Sequence, residues 1–381
     1  ICIGKYKTMM KSSSELYQHF CDGVVFEPRE IQLEWAGIRV ALRSNSLALL
    51  DELSIYFSHC ISSNKEFSTA GVGIRIAAIE QEEPLVEMDF QDWRREGGKT
   101  GRKDSYAELS DGRLLRKVRT GMVFLQNSEL LLALGPCVAN SNQVVNFIIS
   151  QVMNRLQHSN YLICHAAAVQ VNGRGLALAG FSGGGKSTLM LKLMENSDSK
   201  FISNDRLFLR YSDDGVHAVG VPKLPRVNPG TLLNNARLRD LMDAGDQDYF
   251  DHLPFSELWN IEKKYDVPIE ALYGKGRILA SSDLSAVIIL NWRHDSDEQT
   301  MIQAVDIAAR RELLAAVKKA PGPFYQDANG IFLQDDNGVD EEPYLSLLQQ
   351  SQVWELSGKV DIECGVNLIM NQLSLETLCQ D

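Results

Sequence analysis

One stretch decides the fold: Leu176-Ala177-Leu178-Ala179-Gly180-Phe181-Ser182-Gly183-Gly184-Gly185-Lys186-Ser187. Its first four residues predict a short buried strand, and 187–194 has apolar side chains at helical spacing. Between them, Gly180-x-x-x-x-Gly185-Lys186-Ser187 matches a phosphate-binding loop in full, a match that arises by chance on the order of one time in a hundred. Backbone N–H groups and a helix N-terminus face a phosphate in this arrangement. The sequence therefore predicts a P-loop nucleotide-binding site.

Each residue type in this loop has a physical reason. A side chain at the glycines would collide with the nucleotide or forbid a turn with positive φ. Lys186 is expected to neutralise the β- and γ-phosphates, and Ser187 is expected to supply a hydroxyl to Mg²⁺. A glycine-rich turn that serves packing alone would not explain Lys and Ser at these places. The predicted nucleotide-binding residues are Gly180, Ser182, Gly183, Gly184, Gly185, Lys186, Ser187 and Thr188.

From residue 162 onward, short apolar strands alternate with helices, which predicts an α/β sheet with helices on its faces. The pattern predicts strands or hairpins at Leu176–Ala179, Phe201–Ser203, Leu207–Tyr211 with Val216–Val219, and a central strand at Ala286–Leu290. The proline-rich segment 222–231 is expected to be irregular, and Arg310–Lys319 is expected to be an α-helix. The last fifty or so residues are weakly patterned.

The first third of the chain is predicted to be a separate mixed α/β domain. Hairpins are expected at Ile31–Arg43, around Gly37, and at 106–118, around Asp111-Gly112. The segments 47–57 and 144–156 have helical apolar spacing, and 130–134 resembles a strand. We expect an N-terminal domain at 1–145, a P-loop kinase domain at 146–330 and a C-terminal extension at 331–381.

A P-loop needs a second metal carboxylate, and the sequence offers one candidate. The apolar strand 286–290 runs into Asn291-Trp292-Arg293, which contains no acid. Asp205 follows the strand 201–203, so its side chain is expected beside the P-loop strand, within reach of a Mg²⁺ held by Ser187. The predicted metal ligands are therefore Ser187 and Asp205.

These motifs resemble the HPr kinase/phosphorylase family, whose fold is shared with ATP-dependent phosphoenolpyruvate carboxykinase. The resemblance is carried by His165, Gly175, the P-loop and Asn204-Asp205-Arg206, in that order. A branch called HPr-kinase-related kinase B is more similar, and the resemblance covers roughly residues 30 to 330. Its further matching stretches are 121–124, 135–137, 142–147, 203–207, 223–231 and 290–293.

The resemblance implies ATP- and Mg²⁺-dependent transfer of the γ-phosphoryl group to a hydroxyl of a protein serine. It implies catalytic roles for Lys186, Asp205, His165 and position 204. HPr kinases have an acid/base aspartate at that position, whereas this chain has Asn204, and an amide cannot accept a proton at neutral pH. The substrate-facing loop of true HPr kinases is not recognisable, so HPr itself is not the expected acceptor.

Several alternatives stay open. A small-molecule kinase fits the same fold, and Asn204 favours a nucleotide-gated binding or regulatory subunit with little turnover. His165 could be a packed side chain, or could polarise the γ-phosphate region or relay a proton. Arg226 could contact a phosphate or be a solvated loop arginine, and Arg206 could form a local ion pair. Trp259 and Trp292 are expected to be core aromatics rather than adenine stackers.

Composition excludes some classes of function. The chain has 381 residues, 44% of them hydrophobic and 23% charged, with a formal net charge of −12, which argues against nucleic-acid binding. No run reaches the roughly 18 to 20 apolar residues of a membrane helix. A basic cluster, residues 94–103, is expected to be a mobile loop or a recognition surface. The seven scattered cysteines form no metal-binding pair and fit a reducing cytoplasm. The oligomeric state is left open, a homo-oligomer included.

Overall fold

The computed structural model describes residues 12–62, 73–94, 102–181, 183–258, 261, 263–336 and 338–378. The chain forms two compact units, Ile1–Ser159 with Ala320–Gly338 and Asn160–Lys319 with Val339–Asp381. These limits differ from the expected domains. The boundary expected at 145/146 falls inside a helix of the first unit, and the expected extension 331–381 is divided between both units.

The first unit is a mixed sheet with helices. Within the described residues its helices are α1 (Ser13–Cys21), α2 (Leu47–Tyr56) and α3 (Ser141–His158). Its strands are β1 (Ile31–Trp35), β2 (Ile38–Ser44), β3 (Ile74–Glu80), β4 (Gln91–Asp92), β5 (Asp104–Glu108), β6 (Arg113–Lys117), β7 (Val123–Gln126) and β8 (Leu131–Gly135). The strand order is β1-β2-β3-β8-β7-β6-β5-β4, with β3 parallel to both β2 and β8.

The local patterns of this unit predicted its elements well. The hairpin around Gly37 is present, because Ala36 and Gly37 both adopt positive φ and close a two-residue turn. The segment 320–338 belongs here because the buried guanidinium of Arg113 donates to the carbonyls of Pro323 (3.2 Å) and Leu333 (2.8 Å). Nothing in the sequence of that segment announced these contacts.

The second unit contains the glycine loop. Its described strands are β9 (Leu162–Cys164), β10 (Ala166–Val171), β11 (Arg174–Gly180), β12 (Lys200–Ser203), β13 (Leu207–Ser212), β14 (Gly215–Val219), β15 (Arg226–Val227), β16 (Tyr265–Asp266), β17 (Ser281–Leu290), β18 (Met301–Ala304) and β19 (Gln352–Ser357). Its described α-helices are α4 (Lys186–Leu193), α5 (Pro229–Leu233), α6 (Ala244–Asp251), α7 (Phe255–Leu258), α8 (Ile269–Tyr273), α9 (Glu342–Leu348) and α10 (Ile362–Leu378).

The central sheet of this unit explains why several side chains meet at one edge. Its main path is β12-β10-β11-β17-β14-β13-β9, and β19 pairs with both β17 and β18. β17 is parallel to β11 and to β19, whereas β10 is antiparallel to both β11 and β12. The carboxyl ends of β11, β12, β17 and β19 therefore lie at the same edge as the start of β10. That edge carries the glycine loop.

Apolar side chains cover both faces of the sheet, as expected for an α/β layer. One buried cluster joins the sheet to α4 through Leu178, Ile288 and Leu189, and the other joins Ala177 and Ile289 to the segment after β18. The predicted strand Ala286–Leu290 is confirmed as an interior strand, since β17 has partners on both sides. The predicted strand–loop–helix at 176–194 is confirmed as well.

Three expectations for this unit were wrong. The segment 222–231 is not irregular, because β15 pairs with β16 and Asn228 caps α5. Residues 311–316 form a 3-10 helix rather than an α-helix. The C-terminal segment contains β19, which adds an interior strand to the sheet through pairs such as Ile289 with Glu355. Tertiary pairing decides these elements, and the local patterns do not contain it.

Two further features of the fold concern membrane-spanning helices and cysteines. No helix in the described parts of the chain is long and apolar enough to cross a membrane. The described cysteines, Cys21, Cys60, Cys137, Cys164 and Cys364, are all free thiols. Burial raises the pKa of Cys60 and Cys137 to about 12, so these thiols act as apolar core side chains.

Candidate active site

The loop between β11 and α4 has a backbone that side chains would not tolerate. Gly183 and Gly185 adopt φ of +79° and +80°, a conformation that L side chains rarely adopt. The N–H of Gly184 donates to the carbonyl of Phe181 at 3.0 Å, and a Cβ on Gly184 would lie 3.0 Å from that oxygen. Gly183 faces open space. The loop is thus a bare backbone turn that leads into the N-terminus of α4.

The loop is held from behind by a buried tryptophan. The indole Nε1–H of Trp292 donates to the carbonyl of Gly184 at 2.8 Å, and Trp292 is only 5% exposed. A Cβ built on Gly365 of α10 would lie 3.0 Å from the Trp292 ring, so α10 packs directly against it. Trp292 is therefore a core side chain, as expected, and it also fixes the loop. The other tryptophan, Trp259, lies outside the described residues.

Lys186 folds back over the loop. Its ammonium donates to the carbonyls of Gly180 (2.7 Å) and Phe181 (3.3 Å). Burial lowers the pKa of Lys186 to about 8, against the attraction of Asp205, which favours the charged form. A half-buried ammonium group that donates to loop carbonyls is a group that a phosphate oxygen would stabilise further.

Asp205 lies in a turn just after β12. The turn is closed by Ser203, whose hydroxyl donates to the carbonyl of Arg206 at 2.6 Å. The sequence placed this strand end beside β11, but β10 lies between β11 and β12. Because β12 and β11 run in the same direction, Asp205 still reaches the loop edge. Its charge acts on Lys186, although the side chain is 52% exposed.

Three basic side chains surround the carboxylate of Asp205. His165 Nε2 lies 3.4 Å from Oδ1, while Lys319 Nζ and Arg206 Nε lie 3.6 and 3.8 Å from Oδ2. The surrounding protein alone would raise the pKa of Asp205, but the hydrogen bond from His165 and the charges of Lys319 and Arg206 hold that pKa well below its usual range. Asp205 is therefore an ionised carboxylate at neutral pH.

His165 reaches this group because of strand register. It precedes Ala166, which pairs with Ala179 of β11, so His165 stands level with the first glycine of the loop. Its backbone N–H donates to the carbonyl of Val317 at 2.7 Å, and its side chain is 24% exposed. The structure thus places His165 and Lys186 on either side of the charge of Asp205.

The remaining predicted residues lie in different settings. Ser187 is half-buried in the first turn of α4, and Ser182 lies outside the described residues. The hydroxyl of Thr188 contacts that of Thr231 at 2.9 Å, so it is already engaged with α5. Arg226 pairs with Asp266 at 3.1 Å across β15 and β16, which is an ion pair rather than a solvated loop arginine.

Asn204 is notable for an atom that has no partner. Its side-chain oxygen is buried and forms no hydrogen bond within the described residues, and the same is true of Nε of Arg206. Buried polar atoms are normally satisfied by protein, water or ligand. Both atoms lie in the turn that carries Asp205.

Sequence reasoning missed two lysines and one acid. Lys319 follows the 3-10 helix and belongs to no motif; Lys223 begins the family-matching stretch 223–231, but that resemblance assigned it no role at the site. Glu355 of β19 is level with Ile289, two residues before Asn291, whose amide donates to it at 2.7 Å. Arg310 also binds Glu355 with two hydrogen bonds of 3.0 Å, so this carboxylate is neutralised by a cation.

A nucleotide with Mg²⁺ fits these residues. The glycine turn offers a bare cradle, Lys186 offers a cation, and Asn204 offers an oxygen without a partner. Ser187 and Asp205 carry the oxygen ligands that Mg²⁺ prefers. The described residues contain no group of three or more His, Cys, Asp or Glu that could hold a metal by itself. A metal here would therefore depend on phosphate oxygens as well.

Comparisons with known proteins do not identify a family for this chain. No family model matches the chain, and no curated protein matches it. Among solved structures, the chain is similar to the HPr(Ser) kinase/phosphatase from Coxiella burnetii, with 11% sequence identity and a TM-score of 0.29. That similarity covers 57% of this chain and 94% of the other. A TM-score this low carries no argument about the site.

Proposed function

We propose that the second unit is an ATP- and Mg²⁺-dependent kinase that transfers the γ-phosphoryl group to a hydroxyl, that of a protein serine. One observation carries the proposal: the bare glycine turn and Lys186 share the sheet edge with the Asp205 carboxylate and its cations. Phosphoryl transfer needs positioning and charge neutralisation more than covalent chemistry, and these groups supply both.

The residues of the chain divide the work as follows. The loop N–H groups and the N-terminus of α4 receive phosphate oxygens, and Lys186 moves from loop carbonyls to the transferring phosphate. Ser187 and Asp205 would hold Mg²⁺, which would supply neutralisation of the triphosphate charge. A carboxylate with a low pKa holds a metal well and accepts a proton poorly, so the metal role of Asp205 is favoured over a base role.

If Asp205 holds the metal, another group must accept the proton of the acceptor hydroxyl. His165 touches Asp205, and its imidazole, when neutral, has a ring nitrogen that can accept a proton. Asn204 can orient an acceptor hydroxyl but cannot take its proton. A nucleotide-gated regulatory subunit with little turnover is the second candidate, and Asn204 is the observation that favours it.

The Asp205→Asn variant tests the assignment. It removes the charge and keeps the shape, so Mg²⁺–ATP binding and ADP formation should fall together if this carboxylate holds the metal. Calorimetric titration of Mg²⁺ with a non-hydrolysable ATP analogue and a coupled ADP assay measure the two quantities. Asp198→Asn, in an exposed turn after α4, is the matched control and should change neither.

Two outcomes would count against the proposal. Normal Mg²⁺–nucleotide binding with lost turnover would make Asp205 the base rather than the ligand. Tight ATP binding by the native protein without ADP formation, even with cell extract added as a source of acceptor, would favour the regulatory subunit.

A further inference from the structure

The segment between β14 and β15 lies directly against the end of β12, next to the turn that carries Asp205. A Cβ on Gly220 would lie only 1.9 Å from the carbonyl oxygen of Ile202 in β12, so only glycine permits this approach. The segment is also anchored at its far end, where the N–H of Val267 donates to the carbonyl of Pro225 at 2.8 Å. Lys223 is therefore held beside the end of β12 by backbone contacts on both sides.

Lys223 lies among other cations. The pKa of Lys223 is lowered to about 8, first by burial and then by the charges of Arg206 and Arg226, with Asp205 and Asp266 acting in the opposite direction. Among the described residues, the surroundings of Lys223 and the loop edge together contain five Lys or Arg side chains and two carboxylates, Asp205 and Asp266. The cations are Lys186, Arg206, Lys223, Arg226 and Lys319. Like charges this close are unfavourable unless an anion joins them.

Two buried atoms in the same turn also lack a partner. Nε of Arg206 is buried and makes no hydrogen bond within the described residues; its distance of 3.8 Å to Asp205 is too long for one. The side-chain oxygen of Asn204 is unpartnered too. An unsatisfied guanidinium N–H beside a lysine suits a carboxylate or phosphate oxygen.

We propose that Arg206 and Lys223 form a second oxyanion position, distinct from the glycine loop, that binds a carboxylate or phosphate on the acceptor. Lys223 lies between β14 and β15, whereas Lys186 lies in α4, and the charge of Asp205 acts on both. The anion would therefore stand beside the transferring phosphate without replacing it. The inference rests on the proposed function and deepens it: the phosphorylated hydroxyl belongs to an acceptor that carries an oxyanion. The position is cationic although the chain as a whole has a formal net charge of −12.

Inorganic phosphate is the probe. The native protein is first saturated with Mg²⁺ and a non-hydrolysable ATP analogue, so that the glycine loop is filled, and phosphate is then titrated by calorimetry. We expect saturable phosphate binding that survives the nucleotide. Acetate, titrated in parallel, separates the two sources, since binding of acetate as well indicates a carboxylate-bearing acceptor and binding of phosphate alone indicates a phosphate-bearing one.

Two variants test whether Lys223 and Arg206 form the second oxyanion position. Lys223→Met should weaken phosphate binding at least ten-fold, which is about 1.4 kcal/mol, because it removes a charged hydrogen bond. It should change affinity for the ATP analogue less than about two-fold. Lys264→Met is the control, because it removes a nearby exposed lysine charge. Arg206→Gln repeats the test if Lys223→Met does not fold by circular dichroism.

Three results would overturn the second position. They are phosphate binding that the ATP analogue displaces, binding that Lys186→Ala abolishes, and equal losses in Lys223→Met and Lys264→Met. A native protein that binds no phosphate in the presence of the analogue would overturn it too. Failure of the analogue itself to bind would instead contradict the proposed kinase, so the two failures are distinguishable.

Discussion

Replacing Trp292 by Phe should loosen the glycine loop. The change removes the 2.8 Å hydrogen bond from the indole Nε1 to the carbonyl of Gly184 and leaves that carbonyl without its partner. Loss of one partner from a buried hydrogen bond costs about 1–3 kcal/mol. If the bond holds the loop in its binding shape, that cost lowers the fraction of protein ready for nucleotide. At 1.4 kcal/mol per factor of ten, affinity for an ATP analogue should fall at least about five-fold.

Trp354→Phe is the matched control for this change. Trp354 is 1% exposed in the same apolar cluster, and its Nε1 has no hydrogen-bond partner within the described residues. Both variants shrink a buried ring, so both should lower the free energy of unfolding in urea, whereas only Trp292→Phe should weaken nucleotide binding in calorimetry. Equal nucleotide affinities in the two variants would refute a positioning role for Trp292.

Three further predictions concern the same edge of the sheet. Gly220→Ala should lower the free energy of unfolding by about 1–3 kcal/mol or more, because its Cβ meets the carbonyl of Ile202; Gly230→Ala, with 3.5 Å of space, should cost much less in the same urea titration. Asn204→Asp should raise ADP formation at saturating Mg²⁺ only, and an inert variant at every Mg²⁺ concentration would contradict its role beside the acceptor. ATP affinity should fall as pH rises through about 8, because Lys186 then loses its charge; a flat calorimetric profile from pH 7 to 9 would contradict this.

The strand–loop–helix could be predicted because its information is local. The apolar run before Gly180, the glycines with positive φ and the helical spacing after Lys186 all lie within twenty residues. The hairpin around Gly37 is similar, since two residues set its turn. Local patterns also predicted residues 286–290 of β17, because a fully apolar strand indicates burial on both faces.

What could not be predicted depends on pairing between distant parts of the chain. β19 joins the central sheet only because β17 offers it a parallel partner, and the segment 320–338 belongs with the first unit through carbonyl contacts to Arg113. Lys319 reaches Asp205 from a segment with no motif, and the charge of Lys223 interacts with Asp205 although its stretch had suggested no role there. Charge clusters assembled in this way leave no periodic signal in the sequence.

If ATP binds at the glycine loop, Lys186→Ala should remove the thermal stabilisation that ATP gives the protein. At a concentration of about 100 times its Kd, a ligand stabilises its protein by about 2.7 kcal/mol. Native protein and the Lys192→Ala control, which alters an ion-paired lysine of the same helix, should show a raised thermal midpoint with Mg²⁺–ATP. Lys186→Ala should show none at that concentration. An unchanged ATP-induced shift in Lys186→Ala would place the nucleotide elsewhere and contradict the account.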